Sequence, residues 1–363
     1  MKGRLAGALG KLKDPLQLII TLLISLGAAM IVLAATSREP GKAIGFFFLG
    51  PFMNLNNLGN MLNSSIPLVL TGAGIVLAFR ASMFNLGGEG QVYTGALMAT
   101  ALCLYLPNGA GFWGILLALL AGSAIGAILG GLSGVLRMRW GTNELLSSFL
   151  ISASLVLIAD YLITGPLDDP SSNLLSTRII GSQYWLPRVL PQSNLHIGLF
   201  IAVAAAALLA LLLFNTRLGY ELRLSGSNRE FARYGGIKVG AYMVLPMLLS
   251  GAFHGFAGGL SILGTYHRCI KGFSAGFGWN GIAVALIGRN HPMGVILAAL
   301  FYAYLEAGAR AAMIHSGVSF ETATLVQAIV FYLITAQGLI SWIPRYGTLH
   351  HRVRPPLLGR SQR

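Results

Sequence analysis

Apolar runs of the length that crosses a bilayer core, roughly 20 residues, recur along almost the whole chain. They lie near 16–36, 62–80, 87–106, 112–136, 145–164, 196–214, 240–264, 293–312 and 323–342, with a shorter run at 275–288. Only 10% of the residues are charged and 55% are hydrophobic, whereas about a quarter of a soluble domain is charged. Water cannot satisfy backbone groups inside lipid, so each run must bond to itself as a helix. The expected fold is an all-α polytopic membrane protein of about ten transmembrane helices, a single transmembrane domain over 1–363.

The net charge of +14 would suggest nucleic acid in a soluble protein, but no basic surface interleaved with aromatics accompanies it. Its distribution is instead a topological signal. Ten spans put both ends on one side, and the termini plus the turns on that side hold 18 of the 25 cations. Both termini and the segment 215–239 are therefore predicted to be cytoplasmic. The first run follows 15 polar-to-amphipathic residues and is too long for a signal-peptide core, so it reads as a retained span.

Two connections stand out. Segment 165–195 is the long external loop, and Asn215–Val239 is a basic cytoplasmic loop with five cations and two anions among several glycines. An idle turn between spans could be far shorter, so this loop is expected to touch a soluble partner.

Within the spans, Gly122, Gly126, Gly130 and Gly134 recur every fourth residue, as do Gly251, Gly255 and Gly259. Each series makes a smooth stripe that another helix can approach closely. Phe84-Asn-Leu-Gly-Gly-Glu-Gly-Gln91 opens the third span from inside, and Phe277-Gly-Trp-Asn-Gly281 opens the eighth from outside. Spans 2–5 and 7–10 thus read as two inverted-topology halves, each with a glycine-interrupted element where a broken helix exposes backbone dipoles to a solute.

Asn85, Glu89 and Gln91 from one half, with Phe277, Trp279 and Asn280 from the other, carry the hydrogen-bonding groups and aromatic faces expected of a translocation path. A carboxylate near hydrocarbon is costly unless paired, hydrogen-bonded or wet. For Glu89 the expected stabiliser is the helix N-terminus at the start of span three, which makes it a structural gate element rather than a proton carrier. Glu306 and Arg310, one turn apart, read as an intrahelical ion pair.

No phosphate-binding loop is present, since Gly7-Ala-Leu-Gly-Lys11 has the wrong spacing and context. The histidines show no metal-ligand spacing and no nucleophile elbow accompanies them. Cys103 and Cys269 carry no metal or redox pattern. The expectation is a transport subunit that is not an enzyme, with no cofactor or metal of its own.

Six strings, taken in order, resemble a known family: Phe84–Gln91, Asn143-Glu144, Gly165-Pro-Leu-Asp-Asp-Pro170, Leu218-Gly-Tyr-Glu-Leu-Arg223, Ala232-Arg-Tyr-Gly-Gly-Ile237 and Gly281-Ile-Ala-Val-Ala-Leu-Ile-Gly-Arg-Asn-His-Pro292. Together they look like permease subunits of bacterial ABC importers for purine nucleosides, within the larger simple-sugar permease family, over roughly residues 60–345.

The resemblance implies a multi-pass protein of the bacterial cytoplasmic (inner) membrane. Its implied partners are a separate ATPase that binds ATP, a second permease subunit (a copy or a paralogue), a periplasmic or lipid-anchored solute-binding protein, and a nucleoside-like solute. It implies a short coupling helix within Asn228–Gly235 that seats in the ATPase, with Glu221, Arg229, Glu230, Arg233 and Tyr234 as coupling residues. Ser227 or Asn228 suits its N-cap and Gly235-Gly236 its stop. Where this family often has two adjacent small residues the chain has His254, so riboflavin and simple sugars stay open as alternative solutes. An ion-coupled secondary transporter is the alternative mechanism.

Overall fold

The computed structural model describes residues 20–335. Its helices are α1 (Ile20–Thr36), then α2 (Pro40–Leu49), α3 (Leu55–Arg80), α4 (Gly88–Tyr105), α5 (Gly111–Trp140), α6 (Glu144–Thr164), α7 (Gly198–Asn215), α8 (Arg217–Ser227), α9 (Arg229–Tyr234), α10 (Ala241–Ser261), α11 (Phe277–Ile287), α12 (Pro292–Ser316) and α13 (Phe320–Thr335). Over its described residues, each of the ten apolar runs coincides with a helix. Six are long and apolar enough to cross a membrane: α3, α5, α6, α7, α10 extended to Tyr266, and α12. The expected cytoplasmic placement of the termini falls outside the described residues.

The sequence reading did not include α2. This short helix begins at Pro40, where a missing N–H costs nothing. It buries Ala43 and Phe47 against α12, where the Phe47 carbonyl occupies the place a side chain at Gly308 would need.

The centre of the bundle is α3, in which every residue from Ser65 to Ala78 is buried. Its small residues admit neighbours on several sides. Gly72 faces Val284 of α11 and Val295 of α12, while Gly74 faces Ser250 and His254 of α10. Pro67 lies inside this helix, and the Thr71 hydroxyl donates to its carbonyl at 2.9 Å.

The two glycine stripes face each other. A Cβ on Gly126 would strike the Gly251 carbonyl, and one on Gly255 the Gly122 carbonyl. Gly95 of α4 meets Gly255, and Gly258 meets the Val92 carbonyl, so α10 is clamped between α4 and α5 with backbones almost touching. Lipid supplies no hydrophobic drive between helices, so van der Waals contact over such a seam is what holds them together.

The external connection is pinned across the predicted outer ends of these helices. Thr177 N–H donates to the Cys269 carbonyl at 3.0 Å and Leu186 N–H to that of Leu263 at 2.8 Å. Buried Tyr184 donates its hydroxyl to the Pro107 carbonyl at 2.7 Å. Cys103 and Cys269 are buried free thiols.

Candidate functional site

At 18 and 11 residues, α4 and α11 rise about 27 Å and about 17 Å, and neither is as long as the bilayer core of about 30 Å. Their N-termini meet head to head. Gly278 lies directly on the backbone of Gly88 and Glu89, and a Cβ at 278 would occupy the Glu89 amide. Two positive dipole ends thus converge in a medium that screens poorly.

Glu89 sits between them. Its Oε1 accepts from the Ser274 hydroxyl at 2.6 Å and the Gly276 N–H at 3.1 Å, and its Oε2 accepts from the Gly278 N–H at 2.9 Å. The carboxylate therefore caps the first turn of α11, in the opposite half, and does not rely on its own helix as the sequence reading expected. The chain reaches this turn through left-handed backbone at Ala275 and Gly276, φ 42° and 88°.

The break before α4 is satisfied by side chains. Asn85 and Gln91 pair through both amides at 2.9 and 3.1 Å, and Asn85 also donates to Ser250 at 3.0 Å. Ser148 and Ser152 of α6 accept from the Leu86 and Gly90 N–H groups at 3.0 and 2.8 Å. Asn85 is only 1% exposed. Asn85 Oδ1 also accepts from the Gly87 N–H at 3.0 Å, so this amide completes the backbone of the broken helix while Gln91 holds it in place, as buried polar groups in a membrane require. Tyr93 donates to Asp160 at 2.6 Å and accepts from Gly272 N–H at 2.9 Å, tying α4, α6 and the segment before α11.

The other three predicted path residues separate. Trp279 lies on the surface, its ring 5.9 Å from that of exposed Phe149 on α6. Asn280 is half-buried in the same first turn of α11. Phe277 closes a small cavity with Asn63, His196 and Thr265. Above it a larger cavity of about 440 Å³ is lined by Asn57, Asn60, Asn63, Thr265, Tyr266 and Arg310. A π-helical turn, Ile262–Tyr266, presents Thr265 and Tyr266 there. Arg310 pairs with Glu306 at 2.6 Å. Although α6 is long enough to span, only Glu144, Ser148, Ser152, Ala159 and Ile163 of it are buried.

The basic loop folds into α8 and α9. Thr216 caps α8 by accepting from Gly219 N–H at 3.1 Å, and Asn228 caps α9 by accepting from Phe231 N–H at 3.0 Å. Gly235 and Gly236 follow, the latter at φ 80°. Glu221 is turned inward, accepting from Arg217 at 2.6 Å and Tyr242 at 2.8 Å. Hydrogen bonds from Arg217 first and Tyr242 second hold its carboxyl below the ordinary value.

Arg229 also braces the protein, donating to the Ser82 carbonyl at 3.3 Å, while the Ser82 hydroxyl donates to the Gly226 carbonyl at 2.7 Å. Glu230 and Arg233 are exposed. Phe231 and Tyr234 present 60% and 92% of their surface, the latter the most exposed large hydrophobic side chain among the described residues.

The sequence reading did not single out Ser148, Ser152, Ser250 or Ser274. The first two lie one turn apart on α6, but Ser147, Ser154 and Asp160 share that run, so nothing local sets them apart. Ser250 and Ser274 carry no local mark either.

Residues 57–335 match the family described as branched-chain amino acid transport system / permease component. The chain is 32% identical to the probable riboflavin import permease protein RfuC of Treponema pallidum, over 91% of this chain and 88% of that protein. It is 32% identical to the glucose ABC transporter permease protein TsgB13 of Haloferax volcanii, over 88% and 87%. With the guanosine ABC transporter permease protein NupP of Bacillus subtilis it shares 29% identity over 90% and 94%.

Proposed function

This chain belongs to the branched-chain amino acid transport system / permease component family, and from that premise we propose that it forms the membrane path of an ATP-driven importer for a nucleoside-like solute. The observation that carries the reading is the α8–α9 segment. It offers exposed Phe231 and Tyr234 to a soluble partner while gripping Ser82 through Arg229, three residues before Asn85. A push on α9 thus has a short covalent and hydrogen-bonded route to the junction of α4 and α11.

On this reading ATP is bound and hydrolysed by a separate ATPase, and the permease performs no catalysis. A second permease subunit, a copy or a paralogue, covers the sparsely buried face of α6, so that Phe149, Trp279 and Asn280 border the path between subunits. Solute arrives from an external binding protein at the bacterial cytoplasmic membrane. Glu89, Asn85 and Gln91 hold the path's broken helices in place, and Phe277 closes the cavity above them. The exposed Phe149–Trp279 pair supports a planar heterocycle, and a guanosine permease is among the relatives. Riboflavin shares that heterocycle-plus-polyol chemistry and is the second reading, supported by the same pair.

Reconstitution in liposomes with the cognate ATPase, the second permease subunit and the binding protein tests the proposal. Uptake of labelled guanosine should require ATP and every component, and Arg233→Glu should abolish it while the protein remains in the membrane. Uptake by this chain alone under an ion gradient would establish a secondary transporter instead. Uptake of riboflavin and not of nucleosides would reassign the solute.

A further inference from the structure

Three segments far apart in sequence bring Arg80, Arg223 and Arg289 to one open cavity of about 350 Å³, completed by Phe79, Ser82, Gly226, Ser227 and Asn290. Arg80 closes α3, Arg223 lies on α8, and Arg289 is in the turn between α11 and α12. The Arg80 and Arg223 guanidinium carbons sit 5.5 and 5.1 Å from the centre of a single ring, Phe214. That ring also stacks on His291 at 4.9 Å.

Stacking orients the guanidinium groups but does not neutralise them. The ion pairs among the described residues engage Lys42, Arg137, Arg217 and Arg310, so no carboxylate of the described chain neutralises Arg80 or Arg223. Arg80 spends its Nε on the Asn290 carbonyl at 2.8 Å. Glu221, on the same helix as Arg223, is committed to Arg217 and Tyr242. Like charges gathered in a cavity repel, and the planar fork of arginine matches a carboxylate bidentately.

We propose that this cavity receives an acidic side chain of the ATPase subunit, making a charged lock beside the aromatic contact of α9. The inference rests on the reading that α8 and α9 dock an ATPase. The position supports that occupant: Gly226 and Ser227 form one wall and run directly into Asn228, the cap of α9. A protein seated on Phe231 and Tyr234 therefore meets the mouth of the cavity. Opposed charges at such an interface also fix register and speed encounter.

The test measures affinity of the isolated ATPase subunit for the full-length permease in nanodiscs. Arg223→Met keeps an apolar stem over Phe214 and removes the charge; it should weaken association about ten-fold and flatten its salt dependence. Arg223→Lys should retain most of the affinity and serves as the check on folding. Neutralising one Asp or Glu in the ATPase should reproduce the loss, and combining it with Arg223→Met should add little.

Wild-type affinity of Arg223→Met overturns the proposal, as does full additivity with every acidic substitution in the ATPase. So does a loss seen in phosphatidylglycerol discs but not in phosphatidylcholine discs, which would assign the cavity to a lipid phosphate. If Phe231→Ala weakens association and Arg223→Met does not, docking stands and the arginine lock alone falls. If neither has an effect, the docking reading falls with it.

Discussion

Eight residues separate Arg80 from Glu89, yet the two ends of that stretch treat charge in opposite ways. At Glu89 three donors meet one carboxylate, and the neighbouring amides and serines answer one another. At Arg80 two guanidinium groups, its own and that of Arg223, share one aromatic ring, and no carboxylate among the described residues pairs with either. The difference follows from the surroundings. Inside hydrocarbon an unmet polar group costs several kcal/mol, so the break in the helix must be closed from within. At the cytoplasmic face water and salt screen the excess, which leaves charge available to a partner.

If this contrast is right, substitutions at the junction unfold the protein, whereas those on the cytoplasmic side spare stability and remove uptake. Gly278→Val is the harshest case, because its side chain must displace the Glu89 backbone. A loss of about 3 kcal/mol is expected from overpacking of this kind, seen as a lower melting temperature and less protein in the membrane. A variant that melts like the parent would break the head-to-head junction.

Glu89→Ala should cost roughly 1–3 kcal/mol, since it strands two N–H groups and a hydroxyl. Glu89→Gln keeps the shape and one acceptor, so it should retain part of ATP-driven uptake with an unchanged pH profile. A profile that flattens in this variant would make Glu89 a titrating group and contradict the capping role.

Gly126→Ala pushes α5 off α10 at the Gly251 carbonyl and should cost about 1–3 kcal/mol, measured by thermal unfolding. The helices meet there over a long seam that can shift slightly, so a smaller effect than at Gly278 sharpens the comparison. An effect as large as that of Gly278→Val would place the rigid element in the seam instead.

The smallest effect belongs to Glu221. Its folded carboxyl titrates below the ordinary 4.5 because of Arg217 and Tyr242. Its contribution is therefore present above about pH 4.5 and lost as pH falls through the lower folded value. Unfolding curves of the parent and Glu221→Gln should differ slightly at pH 7 and converge in acid. A difference that grows on acidification would show that the tether is not ionic.

Much of this architecture was legible beforehand, for reasons that differ from element to element. The spans were visible because hydropathy sums over about 20 neighbours. The glycine stripes were visible because a four-residue spacing keeps one helix face bare, and the caps of α9 because Asn228 and Gly235 act within a single turn. The short α2 was hidden, since its ten residues fall below any crossing length.

What the chain alone determined, then, was which segments are helices, set by local composition. Tertiary structure decided the partners. Glu89 caps a turn 189 residues away, Ser250 and Ser274 close a break in another half of the molecule, and three segments pool their arginines. No sequence spacing announces such meetings, because they depend on the close approach of segments far apart in the chain. That approach exists only once the helices have packed.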